Sequence, residues 1–414
     1  VDGNKVIRIL RAMAPTTCHM QFDDYIGAAV KCVSMAKNRG IGPVTPDTDQ
    51  NWEAMIENYD LASSMNEGAN IGRLIDISRE ALKRSNDDLD VIDYDDMVYL
   101  PLVRKLKMLK HEWVMVDEAQ DTNPTRRALA KELLAPGGRF VAVGDPCQAI
   151  FGFTGADNDS LSQLADDFNC VSLPLTVTYR CPKAVVREAQ KVVSHITAHE
   201  SAPEGIFRQI KQRQFTDEVA SWNPADYGDT AILCRVNAPL VSLCFAMIRA
   251  SIPAKIEGRE VGAGLIALAT RWKSADLEDL EASLEGWHER ETQKALNAEN
   301  AGRVQKIDDE YQTMIVLIQN TREKGGFTVA DLVRTIESLF GDGVAHTGVV
   351  TLCSAHKSKG MEWKRVYLYG RNAYMPNKWA RKDWELEQER NLIYVALTRA
   401  MDELVEVTVD VKKK

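Results

Sequence analysis

Between residues 22 and 36 the apolar side chains fall at Phe22, Tyr25, Ile26, Ala29, Val30 and Val33, the i, i+3, i+4, i+7 rhythm of a helix with one apolar face. The same rhythm returns at Trp52, Met55, Ile56 and Tyr59, and at Ile71, Leu74, Ile75 and Leu82, so residues 1 to about 95 are predicted to be helical. The period then changes. Trp113-Val114-Met115-Val116 runs into Asp117-Glu118, and Phe140-Val141-Ala142-Val143 runs into Gly144-Asp145. Between them Asn123-Pro124 opens a helical stretch, 125–134, that Pro136-Gly137-Gly138 stops. Strand, helix, strand in this span predicts a βαβ unit with parallel strands.

Further strands are predicted at 171–173, 230–234, 348–352, 365–369 and 403–409, with helices between most of them. Residues 275–324 are densely charged, with Leu277, Leu280, Leu284, Leu296, Val304, Ile307, Met314 and Ile318 spaced among the charges, which predicts long solvated helices forming a separate subdomain inserted in an α/β frame.

Composition narrows the class. The 414 residues, 45% hydrophobic and 27% charged, suit a folded chain of two or more domains and exclude a disordered tail or a disulfide-built miniprotein. The net charge of −9 argues against a passive coat on nucleic acid, although a local basic groove can coexist with it. The eight cysteines form no CxxC pair, which fits free thiols in a reducing, cytoplasmic compartment. No apolar run of about 18 residues and no signal-peptide core is present, so neither a membrane span nor export is expected. Val1 in place of an initiating Met leads to the expectation that the chain begins inside a longer product.

The most informative chemistry is Val116-Asp117-Glu118-Ala119-Gln120-Asp121. A buried strand that ends in two carboxylates sets them at the carboxyl edge of a parallel sheet, where open α/β folds bind ligands. There Asp117 would hold Mg²⁺ and Glu118 would polarise the water that attacks a γ-phosphate; the alternative is a strand that leaves into a solvated acidic turn. After the second strand, Gln148 would sit beside these carboxylates, in contact with the water and the γ-phosphate. Phe151 and Phe153 offer rings on which bases stack, or else are aromatic plugs of the core.

These segments resemble motifs II and III of the UvrD/Rep-like helicases of superfamily 1, and three later segments fit in the same order. Thr178-Tyr179-Arg180-Cys181-Pro182 resembles motif IV, Ser354-Ala355-His356-Lys357-Ser358-Lys359-Gly360-Met361-Glu362-Trp363 motif V, and the run from Glu389 to Ala400 motif VI. The resemblance covers about two thirds of the chain. It implies an α/β fold of two RecA-like modules, the first one incomplete. The remainder of the first would be 96–168, after a helical remnant in 1–95; the second would be 169–262 and 346–414, with 263–345 inserted. It further implies ATP and Mg²⁺ as cofactors, bound in the cleft between modules, single-stranded DNA and duplex junctions as partners, and 3′ to 5′ travel.

By this resemblance Tyr179 stacks on adenine, Arg180 reaches the γ-phosphate, and Arg399, presented by a helix, supplies a second guanidinium; planar forks match phosphate oxygens. The alternative for each arginine is a surface ion pair. Lys359, Gly360 and Glu362 fall in the nucleotide set, with Glu362 on the ribose. His356 and Trp363 line the DNA track or serve a purely structural role. Thr154 stands where the family usually carries arginine, Phe151 where tyrosine is common, and Pro146-Cys147 replaces a more acidic pair. The larger departure is that no G-x-x-x-x-G-K-[ST] occurs, nor any Gly-Lys dipeptide. A phosphate cradle needs those glycines and that lysine. The expectation is therefore a C-terminal fragment of a longer helicase, inactive alone. The rivals are a non-catalytic DNA-binding or scaffold relative that has lost hydrolysis, and a DNA-independent nucleotide switch.

Overall fold

The computed structural model describes residues 1–14, 19–62, 65, 70–152, 159–250, 252–297, 301–340 and 348–410. The chain divides into two compact units, Val1–Leu173 and Pro174–Lys414.

The first unit opens with helices α1 (Lys5–Met13), α2 (His19–Arg39), α3 (Asp49–Asn58), α4 (Ile71–Asp87) and α5 (Asp96–Val103). Thr48 and Asn70 start α3 and α4 by accepting the backbone N–H groups of Asn51 and Arg73, which stabilises each helix by about 1 kcal/mol. The predicted stripes are the core: Phe22, Tyr25, Ala29, Val33, Trp52, Met55, Ile56, Leu74, Ile75 and Leu82 are all buried together. Ile71 is the exception, 46% exposed in the first turn of α4. Beneath this core lies a charge cluster that apolar periodicity cannot reveal. Lys5 and Lys37 are fully enclosed and share Asp96, at 2.7 Å each, and Lys37 also holds Asp93 at 2.6 Å. Removing one partner would leave an uncompensated buried charge, costing about 3–5 kcal/mol.

Strand β1 (His111–Val116), helix α6 (Pro124–Leu133) and strand β2 (Leu134–Ala142) form the expected unit, with β1 and β2 parallel. The strand begins earlier than predicted: Leu134 already pairs with His111, and the residues up to Gly138 bulge out before Arg139 meets Trp113, Gly137 taking φ +75°. Helix α7 (Ser160–Phe168) covers one face of the pair by stacking Phe168 on Phe140, centroids 3.7 Å apart. On the other face Trp113, Met115, Val141 and Val143 are 37–71% exposed.

In the second unit, strand β3 (Val177–Thr178), helix α8 (Lys183–Ala189) and strand β4 (Thr197–Ala198) come first, β3 and β4 forming a short parallel ladder. The strand predicted at 171–173 is unpaired, and Val171 and Leu173 are 84% and 80% exposed; pairing begins only at Val177. Apolar alternation alone does not make a strand where no neighbour supplies the ladder. Next come β5 (Ile206–Lys211), α9 (Gln212–Val219), β6 (Thr230–Cys234), α10 (Asn237–Arg249), β7 (Ala254–Ile256), α11 (Arg259–Thr270), α12 (Leu277–Asn297), α13 (Ala301–Glu323) and α14 (Val329–Phe340). The chain closes with β8 (Val350–Ser354), β9 (Trp363–Tyr369), α15 (Arg371–Tyr374), α16 (Asp383–Leu397) and β10 (Ala400–Thr408). Six strands assemble in the order β5-β10-β9-β6-β8-β7, every neighbouring pair parallel. Helices α12, α13 and α14 do not keep a core of their own: Leu277, Leu284, Ile307, Met314 and Ile336 belong to the same continuous cluster as Ile232 and Leu352 of the sheet. The apolar spacing holds except at Leu296, which is exposed, but heavy charge on the solvated faces makes these helices read as separate.

Candidate functional site

In the first unit β1 and β2 leave the sheet side by side, Val143 N–H donating to Val116 O and Ala119 N–H to Val143 O. Asp117 and Glu118 stand exposed at this exit. Glu118 adopts φ +49°, a left-handed conformation that costs a non-glycine residue on the order of 1 kcal/mol and recurs at functional turns. Its N–H is taken by Asp117 Oδ1 at 2.9 Å. Gln120, 2% exposed, joins the two exits: its amide donates to Glu118 Oε2 at 2.5 Å, and its Oε1 accepts the Asp145 N–H at 3.0 Å. A Cβ on Gly144 would come within 2.6 Å of that Oε1, so glycine is what lets the second exit pass so close. Gln148 lies on the following turn and donates to Asp145 Oδ2 at 2.9 Å. Phe151 is half-buried; Phe153 and Thr154 lie outside the described residues. Sequence reading assigned no task to Gln120, although its place two residues beyond Glu118 was a usable signal.

In the second unit three of the nominated side chains, Arg180, Glu362 and Arg399, come together, and Tyr179 precedes the first of them in the chain. Tyr179 follows β3 as a residue 78% exposed, and Arg180 comes next. The Arg180 guanidinium meets Glu362 Oε2 at 2.5 Å, across 182 positions of sequence. Arg399 is 1% exposed; it donates to Val395 O at 2.8 Å, Met361 O at 3.1 Å and Thr398 Oγ1 at 3.2 Å. It sits on the two-residue turn between α16 and β10 rather than on the expected helix, because Thr398 already ends α16 by turning its hydroxyl back to Tyr394 O. Burial, reinforced by the like charge of Arg180, lowers its guanidinium to about 10. Carbonyls and a hydroxyl accept its hydrogen bonds, while the Glu362 carboxylate acts on it only through space. Cys181, between the arginines, is buried, and that burial raises its thiol. Gly360 takes φ +82° with open space where a Cβ would stand, and Lys359 precedes it.

At the opposite edge of the six-stranded sheet, where β6 and β8 end, an open pocket of about 160 Å³ is lined by Arg235, Asn237, Lys306, Asp309, Ser354 and His356. Arg235 forks onto Glu389 Oε1 at 2.8 and 3.1 Å. Asp309 accepts the N–H groups of Asn237 and Ala238, at 2.7 and 3.1 Å, and so occupies the N-terminus of α10. Burial outweighs these bonds and raises its carboxyl. Burial likewise drives the His356 imidazole down to about 3, with Arg235 adding to the effect. His356 is therefore a neutral hydrogen-bonding group here. Trp363, by contrast, is 9% exposed in the first position of β9 and offers no open ring face. Arg235 and Lys306 were missed by sequence reading; polar residues directly after the β6 run, the pattern that picked out Asp117, were the signal for Arg235.

Among the described residues no group of three His, Cys, Asp or Glu side chains could hold a metal ion by itself. Mg²⁺ is commonly held by one or two carboxylates plus phosphates and water, and Asp117 fits that pattern as an exposed carboxylate whose Oδ1 accepts its neighbour's N–H. Also among these residues, no helix is long and apolar enough to cross a membrane.

Residues 21–169 match the family model of the UvrD/REP helicase N-terminal domain, and residues 270–409 that of the UvrD-like helicase C-terminal domain. The chain is 25% identical to the ATP-dependent DNA helicase UvrD2 of Mycobacterium bovis, over 96% of this chain and 61% of the relative. It is 24% identical to a probable DNA helicase II homolog of Mycoplasma pneumoniae, over 78% and 58%. With the ATP-dependent DNA helicase Rep of Escherichia coli it shares 22% identity, over 76% and 64%. The chain thus spans about three fifths of the length of these relatives.

Proposed function

This chain belongs to the UvrD/Rep-like helicase family, and from that premise we propose that it works in an ATP-dependent DNA translocase and helicase moving 3′ to 5′. The observation that carries the reading is the convergence of Arg180, Glu362 and the Arg399 turn, groups far apart in sequence that offer a ribose acceptor and guanidinium charge, with Tyr179, the chain neighbour of Arg180, as the base platform. Asp117 would hold Mg²⁺, which supplies charge neutralisation on the phosphates when bound. Glu118 would take the proton of the attacking water, with Gln120 fixing the Glu118 carboxylate and Gln148 held nearby through Asp145. Arg180 would have to exchange Glu362 for a phosphate oxygen to stabilise the transition state.

The pocket at the far edge suits a phosphodiester backbone. Asp309 already occupies the helix terminus, so Ser354 and Lys306 would face phosphates, joined by Arg235 if it leaves Glu389, with His356 beside them as a neutral group. The segment from Ser354 to Trp363 runs from this pocket to Glu362, so one stretch of chain carries both a DNA group and a nucleotide group.

With no Gly-Lys in these residues, the proposal places the phosphate cradle outside them and expects the 414-residue chain alone to hydrolyse ATP negligibly. The test is DNA-stimulated ATP hydrolysis and strand separation by the full-length protein, beside the 414-residue chain. Stimulated turnover by the former alone supports the reading. Single-strand binding with no turnover by either would favour the non-catalytic relative, and turnover indifferent to DNA the nucleotide switch.

A further inference from the structure

The exposed ring of Tyr179 is not free on both faces. One face lies against the imidazole of His199, ring centroids 4.5 Å apart and planes 27° from parallel. The short β3–β4 ladder causes this: Thr178 pairs with Ala198 in parallel register, and His199 N–H donates to Thr178 O at 3.0 Å, so residues 179 and 199 leave the ladder side by side in the same direction. The imidazole is itself held. Its Nδ1 lies 2.7 Å from Ser201 Oγ and accepts the Ser201 N–H at 3.3 Å, which leaves the proton of the neutral ring on Nε2. A tyrosine 78% exposed would otherwise sample several rotamers, and an adenine base stacking on it would have to immobilise it.

We propose that His199 is a positioning residue for nucleotide binding: held by Ser201, it backs Tyr179 so that the tyrosine offers its outer face to the adenine base in a fixed orientation. The bound arrangement is a three-layer stack of base, phenol ring and imidazole. This rests on the reading of Tyr179 as the adenine platform and adds to it a residue that touches no nucleotide. His199 acts before binding, on the order of the platform, so its loss falls on affinity for the base and not on the chemical step.

The test measures ADP and inorganic pyrophosphate binding to the full-length protein and its variants by titration calorimetry, with kcat at saturating ATP and the melting temperature of each. The expected result for His199→Ala is ADP affinity about three- to tenfold weaker, the range that loss of one aromatic pair implies, with pyrophosphate affinity, kcat and melting unchanged. His199→Phe, which restores a stacking ring without the Ser201 bond, is expected to recover most of the affinity. An ADP affinity in His199→Ala equal to wild type, while Tyr179→Ala weakens it, overturns the role of His199 alone. If Tyr179→Ala also binds ADP as wild type does, or if the wild type does not bind ADP, the platform reading falls and this inference with it. Equal weakening of ADP and pyrophosphate in His199→Ala overturns the proposal too, since the effect would not pass through the base.

Discussion

The guanidinium of Arg180 rests 2.5 Å from the carboxylate of Glu362, and Arg399 holds the carbonyl of Met361, the residue before that glutamate. Three segments separated by long stretches of sequence thus share one node, and the two arginines in it play different parts. Arg180 is an exposed arm on a partner it can release; Arg399 is an enclosed bolt with every nitrogen bonded. Exchange of the Arg180 ion pair for a phosphate costs little, because an exposed pair is worth about 0–1 kcal/mol.

That difference separates the arginine variants. Arg180→Ala is expected to lower kcat of the full-length protein on the order of a hundredfold or more, as loss of a transition-state charge contact does, without changing the melting temperature. Arg399→Ala is expected to lower kcat similarly and also to melt earlier, since it empties a buried position and takes the guanidinium donor from Met361 O, whereas Val395 O keeps the Thr398 hydroxyl. Turnover paired with thermal unfolding checks both, and a wild-type rate in Arg180→Ala would refute its assignment.

Glu118→Gln should keep the bond to Gln120 in shape while removing the base. ATP binding is expected to stay near wild type and turnover to fall by several orders of magnitude. Equilibrium ATP binding and single-turnover hydrolysis on the same preparation decide it; a loss of less than about tenfold in turnover would mean that another group takes the proton.

Spacing made legible the helices α2, α3 and α4 that fill the core of the first unit and the strands β6, β8, β9 and β10 that fill the core of the second, and the β1–α6–β2 unit as well, although β2 starts earlier than the pattern put it. What periodicity missed was local or polar. Helix α5 is short and lies beyond the region predicted helical, and α1, though inside that region, is anchored by Lys5, a charged residue that any pattern of apolar positions scores as solvated. The ladder of β3 and β4 is two residues long and gives no period at all. For the site, strand exits were the usable signal, and they led to Asp117, Glu118 and Gln148. The burial of Arg399 and the pairing of Arg180 with Glu362 depend on which chain segments meet in space, which motif spacing does not encode.

His356 gives the second unit a pH signature. Its unfolded value is about 6.5 and its folded value about 3, so below pH 6.5 the unfolded chain takes up a proton that the folded one refuses. Its contribution is complete above pH 6.5 and is lost progressively as the pH falls towards 3. Urea or thermal unfolding between pH 7 and 4 should therefore show a steeper decline in wild type than in His356→Gln. Single-strand affinity between pH 6 and 8 should carry no contribution from His356 titration, because the ring is neutral throughout. An equal pH slope in the two proteins would show that the imidazole is not enclosed in solution.

The face of β1 and β2 opposite Phe168 leads to the last expectation. Parallel strands are almost always covered on both faces, yet Trp113 and Met115 are 50% and 71% exposed, and Val141 and Val143 continue the same apolar surface. Arg139 lies over the Trp113 ring at 5.1 Å and shields only part of it. Contiguous apolar surface of this kind binds hydrophobic probes and limits solubility. The 414-residue chain is therefore expected to enhance the fluorescence of an anilinonaphthalene dye in its native state, and Met115→Lys together with Val141→Thr should reduce that signal. Because both side chains are exposed in the native fold, the double variant should unfold within about 0.5 kcal/mol per site of wild type. Dye fluorescence and urea unfolding on the same samples check the two halves together. Unchanged dye binding would mean that the probe sits elsewhere, whereas a loss of several kcal/mol would mean that this face is covered in solution.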